Sequence, residues 1–210
     1  MGVSWDHVDS EVRDFSTLCE GLTESEWNHA SLCEGWSVHD VAVHVSAALN
    51  VNVRALVRLA RLGFSIHRSN DEDIRMARDT PHSTITADLV SWRRPTGLQR
   101  LSGTPPGTAL RGTMIHQQDI RRPLGRPRDI PHDRLVIVLN HLKTRVGSAN
   151  LGSVPRLHQV RFVATDIDWA AGKGPEITGP GEAVLMAMAG RRDALADLDG
   201  PGIAILTAQA

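Results

Sequence analysis

Residues 37–62 constrain the fold more than any other segment, because their apolar side chains recur at helical spacing. Spacings of three and four residues place on one face Val38, Val41, Val45, Ala48, Leu56 and Leu59. A helix with one such face must bury it against other elements. Ser37, followed three residues later by Asp40, is a variant of the capping box. We therefore predict one long helix over residues 37–62 that ends before Gly63.

Further segments have helical periodicity or helix-start signals and are predicted to be helices. They are residues 5–22, 83–92, 109–122 and 132–146. Ser83 and Thr108 are the expected N-caps of the second and third of these helices. Residues 67–82 are polar and charged, so we interpret them as a long loop with room for one turn of helix. The first two thirds of the chain therefore predict a mainly α-helical bundle.

The sequence pattern changes after Gly147, where alternating apolar residues and glycine-rich turns begin. We predict strands over residues 157–164, 176–178 and 203–207, the second being a short returning strand, and a helix over residues 182–195. This pattern describes a small α+β unit, of a size that needs to pack on the bundle for stability. The predicted division is a helical bundle of residues 1–148 and an α+β unit of residues 149–210.

The charge and hydropathy of the chain give no reason to expect a nucleic acid or membrane partner. Its formal net charge is −1, which creates no global field toward polyanions. No apolar run approaches the roughly 20 residues that cross a bilayer, and the first residues lack the apolar core of a signal peptide. We therefore expect a cytoplasmic protein, in which Cys19 and Cys33 are partly buried thiols rather than a disulfide.

Two of the ten histidines have positions that suggest a metal site inside the bundle. His44 flanks the inward stripe of its helix, whereas His39, about 140° away around the helix, points away from that stripe. His116 has a similar inward position on its own helix, and Asp119 shares its face. Inward histidines on neighbouring helices form metal sites in bundles, and they also occur as hydrogen-bonded core residues. The candidate metal ligands are His44, His116 and Asp119.

Charged residues near these histidines have two interpretations each. Asp40, four residues before His44, either orients the histidine ring or caps the helix. Asp119 either joins the metal site or is an exposed or arginine-paired carboxylate. Arg121 and Arg122 either hold a substrate carboxylate or are solvated at the helix end. The pattern alone leaves these alternatives open.

Three segments resemble the motifs of one known family. They are residues 31–45 (SLCEGWSVHDVAVHV), 116–125 (HQQDIRRPLG) and 164–180 (ATDIDWAAGKGPEITGP), with Gly190 and Arg191 following. In this order they resemble the mycothiol-dependent maleylpyruvate isomerase-like family, which is related to DinB-like bundles. The resemblance implies a mainly α fold, a DinB-like up-down four-helix bundle with a small C-terminal α+β unit.

The resemblance also implies a divalent metal, often zinc, that is held by three protein ligands. His44 and His116 match two of the ligand positions, and the third belongs to an acidic residue or a histidine one turn before His116. This chain has Gly112 at that position. Asp119 or a water molecule then takes the third place, a residue from another helix contributes the ligand, or metal affinity is lost.

The function that the resemblance implies is a mycothiol-dependent isomerase or thiol S-transferase acting on a small electrophilic substrate. The expected cofactors are a divalent metal, zinc above all, and mycothiol. The expected partners are a small-molecule substrate and a low-molecular-weight thiol, with no nucleic acid or membrane, and the expected assembly is a monomer or homodimer. The alternatives are a metal-dependent hydrolase on the same scaffold and a non-catalytic relative that binds a small molecule or a partner protein.

Overall fold

The computed structural model describes residues 2–51, 53–96, 104–144 and 157–208. The chain forms two compact units, Gly2–Pro127 and Arg128–Ala210. The boundary predicted after residue 148 lies outside the described residues, so that division stays a prediction. No helix within the described ranges is long and apolar enough to cross a membrane.

The first unit is built from helices. They are α1 Trp5–Glu20, α2 Glu24–Trp27, α3 Val38–Leu49, α4 Val53–Arg61, α5 Ile66–Ala77, α6 His82–Ser91 and α7 Pro106–Arg121. Helix α1 packs against α6 and α7, and α3 packs against the same two helices. These four helices therefore enclose one core between them, as in a four-helix bundle. Phe15, Val41, Leu89 and Met114 are buried there, one from each helix.

The segment predicted as one long helix consists of two helices. Helix α3 ends at Leu49, and Asn50 follows as its C-cap, with Nδ2 donating to the Ser46 carbonyl oxygen at 3.0 Å. Helix α4 begins only at Val53. The prediction of an unbroken helix over residues 37–62 was wrong because an asparagine side chain competes with the helical backbone for hydrogen bonds. The capping box at Ser37 is confirmed: its hydroxyl accepts from the Asp40 backbone, and its own backbone N–H donates to the Asp40 carboxylate at 2.9 Å.

The loop predicted over residues 67–82 is wrong, because most of it forms α5. The Ser65 hydroxyl caps this helix by accepting from the backbone N–H of Arg68. Glu72 and Arg75, one turn apart, form an ion pair of 2.6 Å on its surface. A cap and a charge pair of this spacing favour a helix even where the apolar stripe is weak.

The N-caps predicted at Ser83 and Thr108 were also wrong. Helix α6 has Pro81 as its N-cap, and α7 has Pro105, so both helices begin before the predicted hydroxyl residues. Proline suits the start of a helix because it has no N–H group to leave without a partner. The remaining helix predictions in this unit, residues 5–22 and the body of α7, are confirmed to within a few residues.

The second unit combines helices with a small sheet. Its elements are α8 His132–Leu142, a 3-10 turn Leu157–Gln159, β1 Arg161–Ala164, β2 Ala170–Gly172, β3 Glu176–Gly179, α9 Gly181–Met188, a 3-10 helix Arg192–Asp197 and α10 Ile203–Thr207. The strand order is β2-β1-β3, with β1 antiparallel to β2 and parallel to β3. Helix α9 packs on α8 and on the sheet. The predicted fold class, mainly α with a small C-terminal α+β part, is confirmed.

Several details of this unit differ from the sequence prediction. The strand predicted over residues 157–164 begins only at Arg161, after a 3-10 turn over Leu157–Gln159. Residues 203–207 form a helix, because a short apolar run does not by itself distinguish strand from helix. The helix predicted over residues 182–195 ends at Met188, near Gly190, whose φ of 84° lies in the left-handed region. β3 pairs with β1 in the parallel direction and is therefore not its hairpin partner. That place belongs to β2, which lacks a strand-like pattern of side chains.

Candidate functional site

The two histidines predicted to face the bundle interior lie against each other. His44 extends from α3 and His116 from α7, two helices that pack together. Their ring centroids are 4.8 Å apart, with the ring planes at 85°. Helical periodicity placed each residue on the inward side of its own helix, and the packing of α3 on α7 brings the two rings together.

Asp119 completes this side of α7. Its Oδ2 atom lies 2.9 Å from Nδ1 of His116, and none of its side chain is exposed to solvent. The interpretation of Asp119 as an exposed carboxylate is therefore wrong. The spacing of three residues puts both side chains on the same face of the helix, as predicted.

Cys33 is a member of this group that the sequence analysis did not include among the site residues. Its Sγ atom lies 3.2 Å from Oδ2 of Asp119 and 3.7 Å from Nδ1 of His116. Neither Cys33 nor Cys19 forms a disulfide, as predicted. The signal that could have identified Cys33 is its place in the motif over residues 31–45, which also contains His44.

The loop between α2 and α3 carries Cys33 and is fixed to α7 by a backbone hydrogen bond. The N–H of Leu32 donates to the carbonyl oxygen of Asp119 at 3.0 Å. Within the loop, the Ser31 hydroxyl accepts from the N–H of Cys33 at 3.1 Å and donates to the carbonyl oxygen of Trp36 at 2.8 Å. These bonds determine where the thiol lies relative to α7.

The surroundings of His44 keep its imidazole neutral. Burial lowers the pKa of His44 to about 3, and a positive charge on His116 acts in the same direction, against the opposing effect of Asp119. At neutral pH His44 therefore has a nitrogen lone pair available, which is the form that binds metal ions. The indole of Trp36 covers the same ring at a centroid distance of 5.2 Å.

Trp36 also borders a polar cleft of about 800 Å³. Charged and polar side chains line much of this cleft, among them Asp40, Arg75, Arg78 and His82. A cleft of this volume is large enough for a small-molecule ligand. Trp36 is thus a residue shared by the cleft and the surroundings of His44.

His39, predicted to point away from the inward stripe, is buried on another side of α3. Its Nε2 atom lies 3.1 Å from the carbonyl oxygen of Thr80, and its ring contacts those of Trp27 and His82. Only 7% of the residue is exposed. Two of these neighbours belong to the segment that had been predicted as a loop, which explains why burial of His39 was not expected.

The hydrogen bonds of Asp40 and Arg121 support the structural interpretation of each residue. The Asp40 carboxylate accepts from the backbone N–H and the hydroxyl of Ser37, at 2.9 and 2.7 Å, so Asp40 caps α3. Arg121 donates from Nε to the side-chain oxygen of Gln117 at 3.0 Å and from its guanidinium to the carbonyl oxygen of Arg126 at 3.2 Å. These contacts agree with a structural role for Arg121 at the end of α7.

Comparison with known families matches this unit to one sequence model. Residues 8–118, just over half of the chain, match the family described as the mycothiol maleylpyruvate isomerase N-terminal domain. The chain belongs to this family. The family that the three sequence motifs suggested is therefore confirmed.

Two solved structures share the fold. One is the crystal structure of a mycothiol-dependent maleylpyruvate isomerase, with a TM-score of 0.57 and 16% identity. The other is a histidine-to-alanine mutant of a mycothiol-dependent maleylpyruvate isomerase, with a TM-score of 0.58 and 18% identity. Each comparison covers 93% of this chain and 90% of the other chain. Among curated proteins no significant match exists.

Gly112 lies one helical turn before His116, at the position where the family resemblance implies an acidic or histidine ligand. A Cβ atom added to Gly112 meets no neighbouring atom within 4 Å. The structure therefore has room for a side chain at this position, although the glycine supplies no donor atom. The donors that the chain does place here, imidazole and carboxylate, are groups that divalent metal ions bind.

Proposed function

We propose that this chain is a divalent-metal-dependent enzyme that uses mycothiol in an isomerase or S-transferase reaction on a small electrophilic substrate. In this proposal His44, His116 and Asp119 hold the metal, and zinc is the expected ion. The observation that carries the proposal is the contact between His44 and His116 at 4.8 Å, with the Asp119 carboxylate 2.9 Å from the second ring. Membership of the family described as the mycothiol maleylpyruvate isomerase N-terminal domain supports the proposed thiol and the proposed class of reaction.

The residues of the chain have distinct roles in this proposal. His44 stays neutral because burial lowers its pKa, so it offers a lone pair rather than a positive charge to an ion. Asp119 contributes negative charge from a position without solvent exposure, where a charge interacts more strongly than at the surface. A bound divalent ion lowers the pKa of a coordinated thiol and thereby supplies a thiolate near neutral pH.

The cleft beside Trp36 supports the proposal by offering space for a polar small molecule. Arg75 and Arg78 lie in its lining together with the acidic residues Glu24, Asp71 and Asp79, so the cleft carries charges of both signs. An isomerase releases the thiol from its product, whereas an S-transferase leaves the thiol attached. Conversion of maleylpyruvate, the substrate named for the related structures, is therefore the first reaction to assay.

One observation favours a second candidate function. Gly112 provides no ligand at the position implied by the family resemblance, as expected if the chain has lost its chemistry and binds a small molecule or partner protein instead. The metal-dependent hydrolase stays a prediction that no specific feature of the described residues favours over the thiol reaction.

Metal analysis of the purified full chain separates these functions. We expect about one equivalent of a divalent metal, and its loss in a His44→Ala, His116→Ala double variant. The matched control is a His67→Ala, His158→Ala double variant, because both of those histidines are exposed, and it should keep the metal. Less than about a tenth of an equivalent in every protein, even after incubation with zinc, contradicts the enzyme proposal and favours the non-catalytic relative.

Calorimetry with mycothiol then separates the thiol reaction from hydrolysis. We expect the metal-loaded protein to bind mycothiol at least about tenfold more tightly than the metal-free protein, because a thiolate gains a bond to the ion. Equal affinity of the two forms, or no binding, contradicts a thiol-dependent reaction even if the metal is present.

A further inference from the structure

Cys33, His116 and Asp119 present three potential metal donors to a common space. The Sγ, Nδ1 and Oδ2 atoms all lie within 4.8 Å of one another. The separations are 3.7 Å from sulfur to nitrogen, 3.2 Å from sulfur to oxygen and 2.9 Å from nitrogen to oxygen. The three residues come from two parts of the chain, since Cys33 lies in the loop before α3 and the other two on α7.

These separations are close to the distances between ligand atoms in a tetrahedral zinc site. With zinc–sulfur bonds of about 2.3 Å and zinc–nitrogen or zinc–oxygen bonds of about 2.0 Å, ligand atoms in tetrahedral positions lie roughly 3.3–3.6 Å apart. The sulfur-to-nitrogen distance is slightly longer than this range, and the sulfur-to-oxygen and nitrogen-to-oxygen distances are shorter. Shifts of a few tenths of an ångström, within the reach of side-chain rotation, would place all three atoms around one ion.

We propose that Cys33 supplies the metal ligand that Gly112 cannot provide, so that Cys33 Sγ joins His116 Nδ1, Asp119 Oδ2 and the His44 imidazole in holding one ion. The proposal rests on the metal dependence of the proposed function and deepens it by naming a thiolate ligand. Binding releases the thiol proton to solvent, and the ion takes the place of the S–H hydrogen bond to Asp119. A thiolate, a carboxylate and a neutral imidazole together balance the charge of a divalent ion.

The loop holds Cys33 in position before any ion binds. The hydrogen bond from Leu32 N–H to the Asp119 carbonyl oxygen ties the loop to the helix that carries the other two donors. The Ser31 hydroxyl also accepts from the N–H of Cys33 itself. Donors that are already positioned lose less conformational entropy on binding, which favours affinity.

A thiolate ligand also determines which metals the site accepts. Sulfur donors favour zinc, cobalt and cadmium over magnesium and calcium, which require oxygen ligands. Without Cys33, the donors would be imidazole and carboxylate only. Because imidazole ligands also accept zinc and cobalt, the metal–sulfur bond itself is the property that distinguishes this ligand set from one built on His44, His116 and Asp119 alone.

Titration of the full chain with cobalt(II) tests the proposal, because a cobalt–thiolate bond gives a sulfur-to-metal charge-transfer band in the near ultraviolet. We expect this band, together with the visible bands of cobalt in a low-symmetry site, in the wild-type protein. We expect the charge-transfer band to be absent from Cys33→Ser and cobalt affinity to fall at least about tenfold. The control is Cys19→Ala, because Cys19 lies buried in α1 and its removal should leave the band unchanged.

Each contrary result has a different meaning. Cobalt that binds the wild-type protein without a charge-transfer band, or a band that persists in Cys33→Ser, overturns the role of Cys33 and leaves the proposed function standing. Absence of cobalt and zinc binding from the wild-type protein overturns both. Circular dichroism of each variant confirms that a lost band does not reflect unfolding.

Discussion

Nδ1 of His116 and Oδ2 of Asp119 lie 2.9 Å apart within one turn of α7, and the carboxylate has no solvent exposure. A buried carboxylate is costly unless a positive charge or hydrogen-bond donors compensate it. Cys33 contributes one such donor, with its sulfur 3.2 Å from the same oxygen. This concentration of polar groups in a helical core is the feature on which the proposed metal site rests.

The Asp119→Asn variant should lose most of the metal affinity. An amide is close to the carboxylate in size but carries no charge, so we expect zinc affinity to fall about 10- to 100-fold, as for other changes around metal ligands. Competition with a chromogenic zinc chelator measures the change. Asp88→Asn is the matched control, because Asp88 is exposed on α6. Equal zinc affinities of the two variants would show that Asp119 is not a metal ligand.

Gly112 allows a gain-of-affinity prediction. Because a Cβ atom there meets nothing within 4 Å, and residues four apart share a helix face, Gly112→Glu should bring a carboxylate beside His116. We expect zinc affinity to rise at least about tenfold. Gly112→Gln, of the same size and without charge, is the matched control and should bind zinc like the wild-type protein. A rise in both variants would indicate packing rather than coordination.

The same position gives a prediction for stability. Glycine in a helix interior costs about 1 kcal/mol relative to alanine, and the space around Gly112 accepts a methyl group without a close contact. Gly112→Ala should therefore raise the free energy of unfolding by about 1 kcal/mol in urea denaturation. A decrease would show that the glycine is required for close packing after all.

The two cysteines should differ strongly in reactivity. Burial raises the pKa of Cys19 to about 12, and only 2% of this residue is exposed, so it offers almost no thiolate at neutral pH. Cys33 is partly exposed. Iodoacetamide should therefore modify Cys33 at least about tenfold faster than Cys19, as measured by mass spectrometry of peptides. Added zinc should slow the modification of Cys33; comparable rates with and without zinc would count against a zinc–sulfur bond.

The contact between His44 and His116 could be predicted because it depends on local periodicity. Each histidine occupies an inward position on an amphipathic helix, and a bundle leaves few neighbours for an inward side chain. The capping box of Ser37 and Asp40 was visible for the same reason, since its residues are three positions apart. To predict contacts of this kind, it is enough to identify each helix and the face that it buries.

Cys33 could not be placed from the sequence because its position depends on a contact between distant segments. The N–H of Leu32 bonds to the Asp119 carbonyl, and no residue pattern in the loop encodes that partner. The break after Asn50 was missed for a related reason: the apolar periodicity continues through it, while the asparagine side chain satisfies the end of α3. Apolar periodicity shows which face of a helix is buried, whereas the positions of helix ends and loops depend on individual hydrogen bonds.

The depressed pKa of His44 predicts how the stability of the metal-free protein depends on pH. The folded state holds this pKa at about 3, below the ordinary value of 6.5, so above pH 6.5 the residue is neutral in both states and has no effect. As pH falls from 6.5 toward 3, the unfolded chain binds a proton that the folded chain does not. The free energy of unfolding should then decrease by up to about 1.4 kcal/mol per pH unit.

Urea denaturation of the wild-type protein and of His44→Gln, at pH values between about 5 and 7, isolates this effect. Glutamine does not titrate, so the variant should lose less stability on acidification, and the difference should reach about 2 kcal/mol near the lower limit. His67→Gln, at an exposed position of α5, should follow the wild-type protein. If all three proteins lose the same stability over this range, His44 does not have the lowered pKa that makes its imidazole available to a metal.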